Sequence, residues 1–171
     1  SIVMQFLSAK ILLYIRVFAL VVISFFLIKD PDALSMTGFI VLLGQAMQVP
    51  LIRLTPTNPL LGMASIVFIS LALSDLIPLL AENWSYFENL VPIRLLGYFC
   101  LAAYIYFVPT SIVSNSLVIT YVLFEIWGNF LIYNNLRDEK YYRMKKFVEE
   151  NSEAIRTAHD EQVRVVELDE Q

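Results

Sequence analysis

Residues 95–124 read LLGYFCLAAYIYFVPTSIVSNSLVITYVLF, and these 30 consecutive residues carry no charge. An α-helix rises about 1.5 Å per residue, so as one helix the stretch would extend about 45 Å. The hydrocarbon core of a bilayer is only about 30 Å thick. A proline, Pro109, stands near the middle of the stretch, where it would break a helix. The stretch therefore predicts two membrane helices, 92–108 and 112–134, with Pro92 in the first turn of the earlier one.

Three further apolar segments precede this hairpin, and they predict helices at 11–28, 34–52 and 60–80. The segment 34–52 contains glycines, glutamines and a terminal Pro50, so it either crosses the membrane or lies as a re-entrant or interfacial helix. We therefore expect an all-α membrane protein, a bundle of four to five transmembrane helices within residues 1–135. Residues 136–171 are expected to form a charged tail.

The composition supports this class and argues against several functions. The chain of 171 residues is 58% hydrophobic and 16% charged, whereas soluble domains average about 25% charged residues. It contains one cysteine and one histidine, Cys100 and His159, so we expect no intramolecular disulfide, no Cys/His metal site and no cofactor. No catalytic set is recognisable. The net charge of −4 argues against nucleic acid as a partner.

The distribution of basic residues predicts the orientation of the chain. Five basic residues immediately follow the last predicted helix, whereas the Pro109 turn before that helix has none. The positive-inside rule therefore places the tail in the cytosol. The side of the N-terminus depends on whether four or five helices cross. The basic residues that would face the membrane surface are Arg137, Lys140, Arg143, Lys145 and Lys146.

A few polar residues fall inside the apolar segments, where charges are costly and usually face a partner or a cavity. They are Arg16, Asp75, Arg94, Glu125 and Asn129. Glu125 and Asn129 share one helix face by their i, i+4 spacing. They either form a polar site for a lipid headgroup, a proton or an ion, or they hold helices together, with Glu125 paired to Arg16 or bonded to Asn129.

The tail changes character along its length. Its helical spacing of apolar residues continues to about residue 158, and a partly alternating, β-branched segment follows. This pattern predicts a cytosolic helical tail that ends in a short strand. Such a strand either adds to the sheet edge of a partner or belongs to an ordinary tail. The residues expected to contact the partner are Val163, Val165, Val166 and Leu168.

Several strings, taken in their order, resemble a known family. They include GQAMQVP at 44–50, DLIPLL at 75–80, VPIRLL at 91–96 and FEIWGNF at 124–130. The chain resembles the fungal family called increased loss of mitochondrial DNA protein 1, from about residue 17 to residue 140. The resemblance implies a multi-pass protein of the endoplasmic reticulum membrane with a genetic link to mitochondrial DNA maintenance. It implies no established enzyme activity and no catalytic residues.

Three functions remain open from the sequence. The first is a non-enzymatic membrane adaptor that binds and positions a larger membrane partner, such as a bridge-like lipid-transfer protein, and affects mitochondrial DNA indirectly. The second is a small lipid- or ion-handling membrane protein with its polar site around Glu125. A membrane enzyme acting on a sterol or lipid is the third, and the lack of a catalytic set argues against it.

Overall fold

A computed structural model describes residues 8–171 of the chain, and the regular structure of this range is entirely helical. The six helices are α1 (Ala9–Lys29), α2 (Pro31–Ser35), α3 (Gly38–Ala46), α4 (Leu60–Leu80), α5 (Trp84–Phe107) and α6 (Ser116–Asp169). Within the described residues, α1, α4, α5 and α6 are long and apolar enough to cross a membrane. The contacts divide the chain into two units after Leu136, a helical bundle and a charged remainder that begins at Arg137.

The first and fourth helices pack against each other through small side chains. Ser24 and Ser65 are hydrogen-bonded to each other. Each hydroxyl donates to the backbone carbonyl oxygen of the other residue, at 3.0 and 3.1 Å. Beside them Ala72 of α4 contacts Val17 and Leu20 of α1. Small residues let membrane helices approach closely, and hydroxyl pairs join them where no water competes.

One end of the bundle, called here the Lys10 end, contains the start of α1 and the turn between α4 and α5. Lys10 forms an exposed ion pair with Glu82 across this end, at 3.2 Å. Beneath the pair is a buried apolar cluster that joins α1, α4, α5 and α6. It consists of Ala9, Leu13, Leu79, Phe87, Val91, Ile132 and Leu136.

The opposite end, called the Pro50 end, contains the two short helices and the start of α6. The backbone N–H of Ser116 donates to the Pro50 carbonyl at 3.0 Å, and its hydroxyl accepts from the Ile52 N–H at 3.2 Å. The backbone of α3 approaches the same residue, because a Cβ built on Gly44 would lie 2.8 Å from the Cβ of Ser116. The segment 47–54 is thereby fixed to the beginning of α6.

The structure corrects the expected helix at 34–52. That region forms α2, a turn and α3, and α3 has only nine residues. Nine helical residues extend about 14 Å, less than half the hydrocarbon thickness, so α3 is too short to cross. Of the two alternatives for this segment, a span is excluded by length and a short helix packed at one end is observed, which leaves four long helices within residues 8–171.

The hairpin of α5 and α6 also differs from the expectation. Helix α5 begins at Trp84, with the Asn83 side chain accepting from the Tyr86 N–H at 3.3 Å, so Pro92 lies inside the helix. A proline removes one helical hydrogen bond, which membrane helices tolerate where neighbouring helices pack around them. Helix α6 begins at Ser116, four residues later than predicted, after a turn in which the Ser114 hydroxyl donates to the Val108 carbonyl at 2.6 Å.

The predicted strand at the end of the tail is wrong. Residues 163–168 are helical and belong to α6. Valine costs an established helix less than about 0.7 kcal/mol per residue, and the neighbouring Arg164, Glu167 and Leu168 favour helix. Extending an existing helix also requires no new nucleation, whereas a lone strand has no partner for its hydrogen bonds.

An exposed ion pair joins α2 to the segment after α3, and it should make stability depend on pH. The Arg53 guanidinium donates two hydrogen bonds to the Asp32 carboxylate, one of them at 3.1 Å, and holds the pKa of that carboxyl below its usual value. This contribution is present above the ordinary carboxyl pKa of about 3.9 and disappears as pH falls through the lower folded value. We expect Arg53→Gln to lower the melting temperature slightly at pH 7 and by less at pH 3. A difference of equal size at both pH values would contradict this role.

Candidate functional site

Four ionisable side chains meet inside the bundle, each supplied by a different long helix. They are Arg16 of α1, Asp75 of α4, Arg94 of α5 and Glu125 of α6. We call this group the charge cluster. It lies in the half of the bundle nearer the Lys10 end, since Arg16 is seven residues from the start of α1 and Asp75 five residues from the end of α4.

Arg16 is the centre of the charge cluster. Its Nε donates to both carboxylate oxygens of Glu125 at 3.2 Å, and its Nη2 donates to Glu125 Oε2 at 2.9 Å. Its Nη1 donates to Asp75 Oδ2. One guanidinium thus joins α1 to both α4 and α6, using the planar fork of donors that suits carboxylates.

Arg94 completes the pairing of Asp75. Its Nη1 and Nη2 donate to Asp75 Oδ2 and Oδ1 at 3.0 and 2.9 Å. The Asp75 side chain is 0% exposed, and those of Arg16 and Glu125 are 7% and 8% exposed. Two cations therefore face two anions, and the cluster is neutral as a unit. Such pairing is what allows charges to remain in an apolar interior, where an isolated charge is very costly.

Asn129 lies one helical turn beyond Glu125 and extends the polar group. Its Nδ2 donates to the Glu125 backbone carbonyl at 2.7 Å and reaches Glu125 Oε2 at 3.4 Å. Its Oδ1 is buried and accepts no hydrogen bond from the described residues. A buried acceptor without a donor costs about 1–3 kcal/mol, so this atom calls for an explanation beyond helix packing.

Two tyrosines next to the charge cluster are absent from the sequence-based set of candidates. The hydroxyls of Tyr98 and Tyr121 lie 3.1 Å apart and join α5 to α6. Tyr98 follows Arg94 by four residues and Tyr121 precedes Glu125 by four, so both lie on the helix faces that carry the charges. This i, i+4 spacing is the signal that could have identified them.

The structure brings all five intramembrane candidates together, and the tail candidates belong to the second unit. Val163, Val165, Val166 and Leu168 are exposed on α6, and the basic residues 137–146 lie near the start of the second unit. In the described part of the chain, no group of three or more His, Cys, Asp or Glu residues is arranged to hold a metal ion.

These features define the class: a small membrane protein that is helical over residues 8–171, with four helices in that range long and apolar enough to cross a membrane and a neutral buried charge cluster. Residues 7–114 match the family described as increased loss of mitochondrial DNA protein 1. The chain is 35% identical to Protein ILM1 of Saccharomyces cerevisiae over 143 residues, 83% of this chain and 70% of that protein. It is 31% identical to Protein ilm1 of Schizosaccharomyces pombe over 124 residues, 71% of this chain and 77% of that protein.

No solved structure matches the chain. The family match covers more than half of the chain and the yeast relative covers most of it. The chain belongs to the fungal increased loss of mitochondrial DNA protein 1 family. The resemblance stated from the sequence strings is therefore confirmed.

Proposed function

We propose that the protein is a non-enzymatic adaptor subunit of the endoplasmic reticulum membrane, which binds and positions a larger membrane partner. The observation that supports this best is the internal pairing of the charge cluster. Arg16, Asp75, Arg94 and Glu125 satisfy one another, so they hold four helices together. A set of charges used in this way is suited to a rigid scaffold, because few groups are left to act on a substrate.

The proposal includes a contact surface on the second unit. Apolar residues of the tail recur along one side of the helix and are all exposed, and a helix face of this kind can enter an apolar groove of a partner. Because residues 163–168 are helical, we propose that the tail is recognised through a helix face and not by strand addition. The main apolar residues of this face are Met144, Phe147, Val148, Ile155 and Val166.

The location and the biological role are part of the same proposal. The basic residues that follow the apolar part of α6 favour a cytosolic tail by the positive-inside rule. A partner that transfers lipids from the endoplasmic reticulum would link the protein to mitochondrial DNA indirectly, through the lipid supply of mitochondria. The family name, increased loss of mitochondrial DNA protein 1, is compatible with such an indirect route.

Purification of the tagged protein in a gentle detergent, followed by mass spectrometry, tests the adaptor role. We expect one large membrane protein in stoichiometric amount. Ile155→Glu should reduce its recovery at least tenfold, because it places a charge in the apolar face. Thr157→Glu is the matched control, since it adds the same charge two residues away on the opposite face of the helix. A protein that purifies alone, or a complex indifferent to Ile155→Glu, would contradict this proposal.

The unpaired Oδ1 of Asn129 favours one alternative, a lipid- or ion-handling protein with its polar site around Glu125. In that case Glu125→Gln and Asn129→Leu should abolish function in a mitochondrial DNA maintenance assay while the protein level stays unchanged. If Glu125 is a packing group, Glu125→Gln should instead reduce the protein level in proportion to the loss of function. Asn129→Leu should then cost little, because the loss of the Nδ2 bonds to Glu125 is offset by removal of the unsatisfied Oδ1 at similar side-chain size.

A further inference from the structure

A groove of about 510 Å³ opens between α1 and α4, away from the charge cluster. Its walls are formed mainly by the large apolar side chains of Val21, Phe25, Ile28, Ile66 and Ile69, and Lys29 lies at one end. Ile28 and Ile66 are 69% and 68% exposed, so the groove is open to the surroundings of the bundle.

The serine hydroxyls of the groove are already hydrogen-bonded. Ser24 and Ser65 bond to each other across the helix interface. The Ser70 hydroxyl donates to the Ile66 carbonyl at 2.8 Å. The groove therefore offers an occupant dispersion contacts and few free hydrogen-bonding groups, which fits a hydrocarbon chain better than a polar ligand.

The length of the groove matches one leaflet of a bilayer. From Lys29 to Val21 there are eight residues of helix, or about 12 Å. Half of a hydrocarbon core is about 15 Å. Because Lys29 ends α1, we expect its ammonium at the level where the chain leaves the hydrocarbon, with the groove extending from there toward the middle of the membrane.

Lys29 is available for an anionic group at the mouth of the groove. The two carboxylates that follow it in the chain are engaged, since Asp30 accepts from the Ala33 N–H at 3.2 Å and Asp32 is held by Arg53. Within the described residues Lys29 itself forms no ion pair. An ammonium at this level attracts a phosphate, and a charge-assisted hydrogen bond between them would be strong.

We propose that this groove binds one glycerophospholipid in the leaflet at the Pro50 end. One acyl chain lies between Phe25 and Ile66, and the phosphate accepts hydrogen bonds from Lys29. The site is separate from the tail, so the proposal holds whether or not the protein is an adaptor. It assigns to the bundle a bound lipid that lies against the Ser24–Ser65 contact.

Native mass spectrometry of the purified full chain, with defined lipids added to the detergent micelle, tests the site. The probes are dioleoylphosphatidylcholine and dioleoylglycerol, which share their acyl chains and differ in the phosphocholine headgroup, so that only the first carries a phosphate. We expect the first complex of the phospholipid to form at least tenfold more tightly than that of dioleoylglycerol. Lys29→Gln should remove this preference and Lys29→Arg should keep it. Equal binding of the two lipids, or a preference unchanged in Lys29→Gln, would overturn the role of Lys29.

A second pair of variants tests the groove itself. Ile66→Trp places a larger side chain in the groove and should weaken phospholipid binding at least tenfold. Ile77→Trp is the matched control, because Ile77 lies on the same helix, is 66% exposed and does not line the groove. Binding that is unchanged in Ile66→Trp, or lost equally in both variants, would show that the lipid is only part of the general annulus and would overturn the proposal.

Discussion

Arg16→Met is expected to destabilise the bundle by about 3–5 kcal/mol, because removal of one partner from a buried ion pair leaves uncompensated charge. In this variant Asp75 keeps its two bonds from Arg94, whereas Glu125 loses its cation. The charge cluster would change from neutral to a net charge of −1. Thermal unfolding in mild detergent and the steady-state protein level both measure the loss.

A double variant distinguishes lost charge balance from lost packing. In Arg16→Met/Glu125→Leu the remaining Asp75 and Arg94 form a neutral pair, so most of the lost stability should return. Lys10→Met on the same helix is the control, since its pair with Glu82 is exposed, and such pairs contribute little. If the double variant is less stable than Arg16→Met, the Arg16 and Glu125 side chains stabilise the bundle by their packing, and the charge balance is not the cause of the loss.

The second large effect is expected at Gly44, where the backbone of α3 meets the start of α6. Gly44→Leu should cost about 1–3 kcal/mol, because even a Cβ at this position would be 2.8 Å from the Cβ of Ser116. Hydrogen bonds to Pro50 and Ile52 hold Ser116 in place, so it cannot easily move away from the new side chain. Thermal unfolding measures the cost, and faster proteolysis of segment 47–54 should accompany it.

Gly38→Leu on the same helix is the matched control. A Cβ at Gly38 meets no atom within 4 Å, so the new side chain has room and a glycine is removed from the helix. We expect no loss of stability in this variant. Equal losses in the two variants would mean that added apolar volume, and not the contact with Ser116, is responsible.

The helical fold and the polar groups inside it are well predicted by the sequence. A long uncharged segment can adopt few structures in a membrane, because every backbone polar group must form its hydrogen bond within a helix. The same reasoning identifies Arg16, Asp75, Arg94 and Glu125 as residues that need partners. Which of them pair depends on the rotation and register of four helices, and these are set by packing that no local pattern records.

The errors arise where two local signals compete. At 83–92 the preference of proline for the first turn of a helix predicts a start at Pro92, whereas the side chain of Asn83 caps the helix nine residues earlier. At 163–168 β-branched residues indicated a strand, although the helix before them could simply continue. At 34–52 the apolar length was sufficient for a span, but contacts from Gly44 to Ser116, far apart in the chain, favour a short helix and an ordered turn.

The separation of Arg16 from its partners along the chain has a consequence for biogenesis. Asp75 follows it by 59 residues and Glu125 by 109. At about 5–20 residues synthesised per second, Arg16 waits roughly 5–20 s for its last partner. During that time Arg16 and Arg94 share the single carboxylate of Asp75, which leaves a net charge of +1 among the membrane helices, and an uncompensated charge there is costly. We therefore expect the first helix to stay near the aqueous boundary or the insertion machinery until α6 has been synthesised. A chain truncated before α6 would retain this uncompensated charge and resemble an unassembled protein.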